Sequence, residues 1–407
     1  MSDSAQSNER NIELHHKLVT LPSGKREKDV VAERHEMVML IEVAKSNPNG
    51  DPDTGNMPRL QPDTLKGLMT DVCLKRKVRN FFSLYNTDGS CMGEETPRQG
   101  NAIFIRENAV LQRLMEDPEI EKLAKEIFEK ELKQNAKSWD AKKKKKPSKS
   151  KGESESGESQ EEEVGPAGEF KQRAYRDALC RQFFDLRAFG GVTSTEGPLK
   201  GSFYGQIRGP IQFGFAESLD RVLQLDFSIT RCASASEKEK KQLQTGSDEE
   251  SVEESGNRTM GRKHVVDYGI YRCYIYFSPA FAAKTGFTYY DLDNFLFALK
   301  NMFKDDKAAA RTGIRFVGLI DFEHSTALGN EHAHKLFEMV KVHRADVDEN
   351  GKVQKEFPNS IEDYWGEAPE GAVREKNEGG EGNELVTARK IIWEIPACPK
   401  KDQATQN

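Results

Sequence analysis

No apolar run in this chain reaches the ~18 residues needed to span a bilayer, so no segment reads as a transmembrane helix and no membrane partner is expected. The opening stretch MSDSAQSNER is polar and lacks the apolar centre of a secretory signal. Paired cysteines are missing as well. The six that exist, Cys73, Cys91, Cys180, Cys232, Cys273 and Cys398, are scattered with no CxxC spacing, which argues against a zinc site or a disulfide framework. That usage suits a reducing compartment, and a cytoplasmic location is expected. There is no GxxxxGK[ST] loop to cradle a nucleoside triphosphate and no GxSxG nucleophile turn. Internal repeats are absent, and no cofactor is expected.

Apolar residues are somewhat scarce too: the hydrophobic types make up 36% of 407, below the usage of an ordinary compact domain. The shortfall is local, because long charged stretches dilute an otherwise normal core. The net charge of −6 is equally uneven. Residues 346–384 carry 12 acids and 4 bases, and residues 248–254 carry five acids and no base. Without those two stretches, at −8 and −5, the −6 of the chain becomes +7. The part expected to fold is therefore basic, which permits a polyanionic partner.

Residues 1–34 read as a polar leader. MVMLIEVA (37–44) is an apolar run of strand length. SNPNGDPDTGNMPR must be a loop, because prolines and glycines crowd it. Asp63 or Thr64 can cap a helix over 65–82. A second helix is expected from Asp117-Pro118 to about Asn135, and a third over 170–182. Between them lies a run of five lysines (142–146) followed by a Ser/Gly/Glu tract, so 138–168 is expected to be disordered. FFDLRAFGG (183–191) and GPIQFGFAESL (209–219) are strand candidates. Residues 223–231 and 262–277 flank a polar tip and predict a long β-hairpin. A helix over 291–303 precedes strands at 312–322, 336–343 and 389–396. The acidic run 346–384 reads as a surface excursion, and 385–407 as a terminal strand and tail. This order is α+β: an antiparallel sheet with helices on one face.

The chemistry-bearing feature is CLKRKVR (73–79), which puts Lys75, Arg76, Lys77 and Arg79 within little more than one helical turn. Lys75 and Arg79 are four apart and share a face. Such a cluster suits a phosphate rail, and equally a solvated helix face. Asp51, Asp53 and Asp63 crowd the loop after the first strand, where carboxylates could hold a divalent metal and activate water. The same residues also suit turn-making, and their spacing misses the EF-hand pattern. Glu323-His324 and Glu331-His332-Ala333-His334 fit neither HExxH nor a zinc-finger pair, so they read as histidines in a polar loop.

Several long motifs, in order, carry a resemblance. VAKSNPNGDPDTGNMPR (43–59) and TDVCLKRKVRNF (70–81) open it. FDLRAFGGV, GQIRGPIQFGFAESLD, SITR, NRTMGRKH, YGIYR and AAARTGIR continue it to residue 315. The chain resembles the backbone subunit of type I-C CRISPR Cascade, within the Cas-seven superfamily, over residues 37–320. The leader, the insertion at 138–168 and the region after 345 fall outside the match.

That resemblance implies an RRM/ferredoxin-like palm within 35–345, a helical fingers insertion at 84–182 and a β-hairpin thumb at 223–277. Copies would stack along a guide crRNA, each thumb reaching over its neighbour. Target DNA would be read by pairing to the guide. A guide-processing subunit, a large PAM-reading subunit and a recruited helicase-nuclease are the further partners implied. By motif match, Arg59, Lys66, Lys75, Arg76 and Arg79 become backbone contacts of the palm. Arg187 and the Phe189-Gly190 turn would line the RNA channel. Arg231, Arg258, Met260, Arg262, Lys263 and His264 would belong to the thumb, with Met260 as an apolar wedge or as ordinary hairpin packing. No catalysis is expected. The rival readings are a type III-like backbone ribonuclease acting through a loop aspartate, and a general RNA chaperone or mRNA-binding domain.

Overall fold

The computed structural model of the protein describes residues 16–92, 100–143, 166–231, 259–347, 352–374 and 384–398. Arg258, the hairpin tip at 234–257 and most of the insertion at 138–168 lie outside the described residues.

Strand β1 (His35–Ser46) comes first, then β2 (Gly50–Asp51), β3 (Met57–Pro58) and β4 (Lys66–Met69), ahead of helix α1 (Asp71–Leu84). Helices α2 (Leu111–Met115), α3 (Pro118–Lys143), α4 (Pro166–Gln182) and α5 (Phe184–Phe189) follow. Next are β5 (Gly190–Val192), β6 (Gln206–Arg208), β7 (Ile211–Phe213), β8 (Ala216–Arg221), β9 (Gln224–Arg231) and β10 (Thr259–Phe277). Helices α6 (Pro279–Thr285) and α7 (Tyr289–Asn301) lead to β11 (Gly313–His324), α8 (Ala333–Glu338), β12 (Lys341–Arg344) and β13 (Tyr364–Glu367). Strands β14 (Gly371–Arg374) and β15 (Glu384–Trp393) close the order.

Nine of these strands make one antiparallel sheet in the order β14-β15-β11-β1-β10-β8-β4, with β7 and β9 also paired to β10. β1 lies between β10 and β11 and is buried without interruption from His35 to Val43. Its side chains alternate between two cores, as a period of two requires. Met37, Met39, Ile41 and Val43 join α1 and α7 on one face; Val38 and Leu40 join α8 and β13 on the other. A strand covered on both sides has no polar face to show, which is why its sequence is a nearly continuous apolar run. Helices α2, α3 and α4 share a third core with Phe104, Leu186 and Leu199.

Several expected elements differ. The helix expected over 65–82 begins only at Asp71, because Lys66–Met69 is drawn into the sheet beside β8. Thr70 rather than Asp63 or Thr64 caps it, its hydroxyl accepting from the Cys73 amide at 3.3 Å. FFDLRAFGG is not a strand. It folds as α5 and turns at Gly190, and being buried throughout it offers no polar spacing to tell helix from strand. GPIQFGFAESL splits at Gly214-Phe215 into β7 and β8. The strand expected at 336–343 is the end of α8 followed by β12.

The leader is not detached. Amides of His16 and Leu18 donate to Asp293 of α7 at 3.0 and 2.7 Å, and Val19 and Val31 are buried. The ends of the expected disordered insertion are helical, since α3 runs to Lys143 and α4 starts at Pro166. Within the acidic excursion, β13 and β14 are formed, Arg344 holds Asp346 at 2.7 Å, and Lys355 pairs with Asp363. β15 is a full sheet strand on β11.

Candidate nucleic-acid interface

The loop between β1 and β4 is clipped at both ends. Asn47 donates its side-chain Nδ2 to Asn56 O at 2.7 Å, and Asn49 Oδ1 accepts from both the backbone amide and the hydroxyl of Thr70. Gly50 is closely approached by Asn56: a Cβ there would stand 1.9 Å from its side-chain Oδ1 and 3.0 Å from its backbone O, so Asn56 would have to shift. Gly55 and Asn56 take the left-handed conformation that closes the turn. The loop thus delivers Arg59 beside β4 and fixes the first turn of α1.

Helix α1 does not present its four cations together. Leu74, Val78, Phe81 and Phe82 face the core, and two of the bases flank that face inside the fold. Lys77 pairs with Asp306 and lies over the Phe303 ring. Arg79 is 8% exposed; its Nε donates to Asp185 at 2.8 Å and its guanidinium sits 5.4 Å from the Phe189 centroid. Asp185 also accepts from the amides of Phe104 and Ile105. Lys75 pairs with Asp71 one turn earlier at 3.0 Å. Arg76 is the open one, with its side chain 39% exposed and a long 3.4 Å approach to Glu107. Beside it Val72 is exposed. The face expected to unite Lys75 with Arg79 is therefore corrected: tertiary partners pull Arg79 inward.

Arg187 is likewise interior. Its guanidinium forms a fork on Asp291 at 2.7 and 3.0 Å and donates to the carbonyls of Cys180 and Gly100. Asp291 is also the capping-box partner of Thr288 at the start of α7, so Arg187 ties α5 to that helix. The Phe189-Gly190 turn is closely packed. A Cβ at Gly190 would meet Ile207 O at 2.2 Å, and Phe189 is buried. Both Arg187 and the Phe189-Gly190 turn, expected to line the channel, are thus interior in the single chain.

The expected hairpin is present in its flanks. β9 pairs with β10 from Gln224↔Val266 to Arg231↔Thr259. β1 stops at Ser46 opposite Val266, so everything in β10 before Val266 lies beyond the end of β1. That stretch is seven residues, about 24 Å at ~3.4 Å each, and it leaves the body only beyond Val265, which is still buried. Arg262 and His264 stand on one face with Asp226, at 3.5 and 3.4 Å. The other face carries Lys263 opposite Phe227, with Ile229 exposed further out. Of Arg231 and Met260 the backbone pairing is described, Met260 lying opposite Thr230.

The hairpin base is fastened to the loop. Gln224 donates to Pro58 O at 2.7 Å, and Lys45 pairs with Asp267. Lys66 and Arg221 are cross-strand partners at the same edge, and Lys66 holds Glu217 at 3.0 Å. Arg221 is an exposed cation that sequence reasoning missed. Its neighbourhood forms across a wide gap in the chain, 151 residues between Gly67 and Ser218, which no local spacing reveals. Arg59, Lys66 and Arg221 thus lie beside the hairpin base, Arg262 and Lys263 on opposite faces of the arm itself, and Lys75 and Arg76 on the adjoining helix.

The loop carboxylates are turned to local work. Asp51 accepts from the Asp53 amide and stands 3.4 Å from Arg59, and Asp63 accepts from the Thr64 amide. Among the described residues no three of His, Cys, Asp and Glu are grouped to hold a metal ion. His324 is not a loop histidine. It is buried at the end of β11 between Glu36 and the Asn330 amide. Close by, His35 and Arg389 both contact Asp321. Burial pushes that carboxyl up, but His35 and Arg389 outweigh it and hold it down at about 2.

A family profile described as "CRISPR-associated protein Cas7" matches residues 33–367. A CRISPR-associated protein Cas7 of Haloferax volcanii is 45% identical over 47 residues, which is 12% of this chain and 14% of that protein. Among solved structures, a chain of a "CRISPR RNA-guided surveillance complex, pre-nicking" aligns over 71% of this chain and 78% of its own. The two are 15% identical, with a TM-score of 0.37.

Proposed function

The chain belongs to the CRISPR-associated protein Cas7 family, and we propose that it is a non-catalytic, crRNA-binding backbone subunit of a type I-C Cascade surveillance complex. Copies polymerise along the guide and present it for pairing with target DNA. The observation that carries this reading is the cluster of cations around a projecting hairpin, on a chain whose family match spans loop, helix and hairpin alike. Lysine and arginine hold phosphates whatever the base sequence, as a carrier of many guides requires. The palm is RRM-like in this reading. Its support is the order β11-β1-β10-β8, with α1 following β1 and α7 joining β10 to β11. The guide-processing subunit, the large PAM-reading subunit and the helicase-nuclease are its proposed partners, in the cytoplasm. Among the described residues, no helix is long and apolar enough to cross a membrane.

Salt titration tests the phosphate assignment. The triple variant Lys66→Ala, Lys75→Ala, Arg76→Ala should bind guide RNA more weakly whatever its sequence. Its log–log salt slope should fall by ~0.7 for each phosphate that is no longer neutralised. An unchanged slope removes the assignment. The ribonuclease reading is weaker, because Asp51 is engaged by Arg59 and by its own loop. With Mg²⁺ or Mn²⁺ the protein should leave a guide-paired RNA intact. Regular cuts that Asp51→Ala or Asp53→Ala abolishes would decide for the nuclease.

A further inference from the structure

A pocket of ≈ 270 Å³ lies away from the hairpin, where α4, β6 and α6 meet. Arg176, Arg208 and Lys284 supply three cations to it, and Phe203, Tyr204 and Phe281 supply aromatic walls. Arg176 is held by Asp177 at 2.8 Å and lies 5.6 Å from the Tyr204 centroid. Lys284 lies 5.6 Å from the Phe281 centroid. Among the described residues, neither Arg208 nor Lys284 has a carboxylate partner, although the surface is rich in acids. Phe203 is 83% exposed. Open cations beside an open ring ask for an anionic ligand with some apolar character.

The chain itself contains such a ligand. Residues 248–254 read DEESVEE: five carboxylates around a single valine, with no base among them. They sit between the two strands of the projecting hairpin, β9 and β10. The acids in the other acidic run are partly spent, Asp346 on Arg344 and Asp363 on Lys355. An acidic tip on a hairpin that lies over RNA is repelled by the phosphates. Its favourable resting place is a basic protein surface off the RNA path.

We propose that the pocket formed by Arg176, Arg208, Lys284 and Phe203 seats residues 248–254 of a second copy of this chain. The inference rests on the backbone-subunit reading for its geometry. Glutamates pair with Arg208 and Lys284, and Val252 covers the aromatic wall. Each copy then holds the next by a protein–protein latch in addition to the shared guide.

Two measurements test it. In the first, a peptide of residues 246–256 is titrated onto a full chain whose own residues 248–254 are replaced by a Gly/Ser tract. The peptide should bind. Arg208→Glu with Lys284→Glu should weaken it about tenfold at low salt, and a peptide with lysines at 249, 250, 253 and 254 should restore binding to that variant. In the second, p-benzoylphenylalanine replaces Phe203 in a mixture of light and heavy isotope-labelled chains on guide RNA. Crosslinks from 203 to 248–254 should join light to heavy copies. Failure of the peptide to bind, crosslinks within one copy only, crosslinks to residues 161–163, or crosslinks to RNA each overturn the proposal. If no filament forms on guide RNA while the peptide binds with the stated charge dependence, the backbone reading falls and the pocket's preference stands.

Discussion

At the scale of single residues, the molecule separates cations that look alike in sequence. Lys77, Arg79 and Arg187 are spent inside on Asp306, Asp185 and Asp291. Removing one partner of such a pair leaves the other charge buried, at a cost of ~3–5 kcal/mol. Arg187→Ala should therefore lower the denaturant midpoint sharply, whereas Arg76→Ala should leave it unmoved and weaken RNA binding alone. Equal destabilisation by both, measured by urea unfolding, would contradict this division. Asp321 adds a pH dependence. Its carboxyl is held at about 2 against 3.8 ordinarily. Its contribution, roughly 2 kcal/mol, is thus fully present above pH ~4 and drains away as the pH falls towards 2. Asp321→Asn should be less stable at pH 7 and lose less on acidification, as read from denaturation midpoints between pH 7 and pH 2.5. The basic cluster is legible in the sequence as charge, but its partition is not. The partners that bury Arg79 and Lys77 stand 106 and 229 positions away, and helical spacing knows nothing of them.

At the scale of elements, the long hairpin and the strands β1, β11 and β15 are legible because their apolar runs and flanking turns are strong local signals. The start of α1 is not, because Lys66–Met69 takes its conformation from a strand that lies far along the chain. α5 reads as a strand for a related reason: complete burial erases the periodicity that separates the two. The hairpin gives a direct prediction. Replacing 226–264 by a short Gly/Asn turn should leave a soluble, folded chain, since the two sheet cores lie elsewhere. It should abolish regular filaments on guide RNA and any periodic exposure of guide nucleotides to chemical probing. Filaments of unchanged regularity in electron micrographs would show that the hairpin is not the clamp.

At the scale of the whole molecule, the sheet reaches past the family match. β14 and β15 lie beyond residue 367, yet β15 covers β11 and brings Arg389 onto Asp321. Cutting the chain after residue 367 should therefore yield insoluble protein or a large loss of melting temperature, rather than a trimmed but sound domain. A truncated protein as stable as the full one would show these strands to be decoration. The sheet also governs how copies could be spaced. β10 is one unbroken strand of 19 residues, its last twelve running against β1 and its first seven paired with β9, with Val265 still buried at the root. Mechanically it is a cantilever whose root is held beside β1 in the sheet. In an assembly where that arm touches the next copy, the rise and turn from one copy to the next are written into the twist of a single strand, and an RNA laid along the row inherits that pitch.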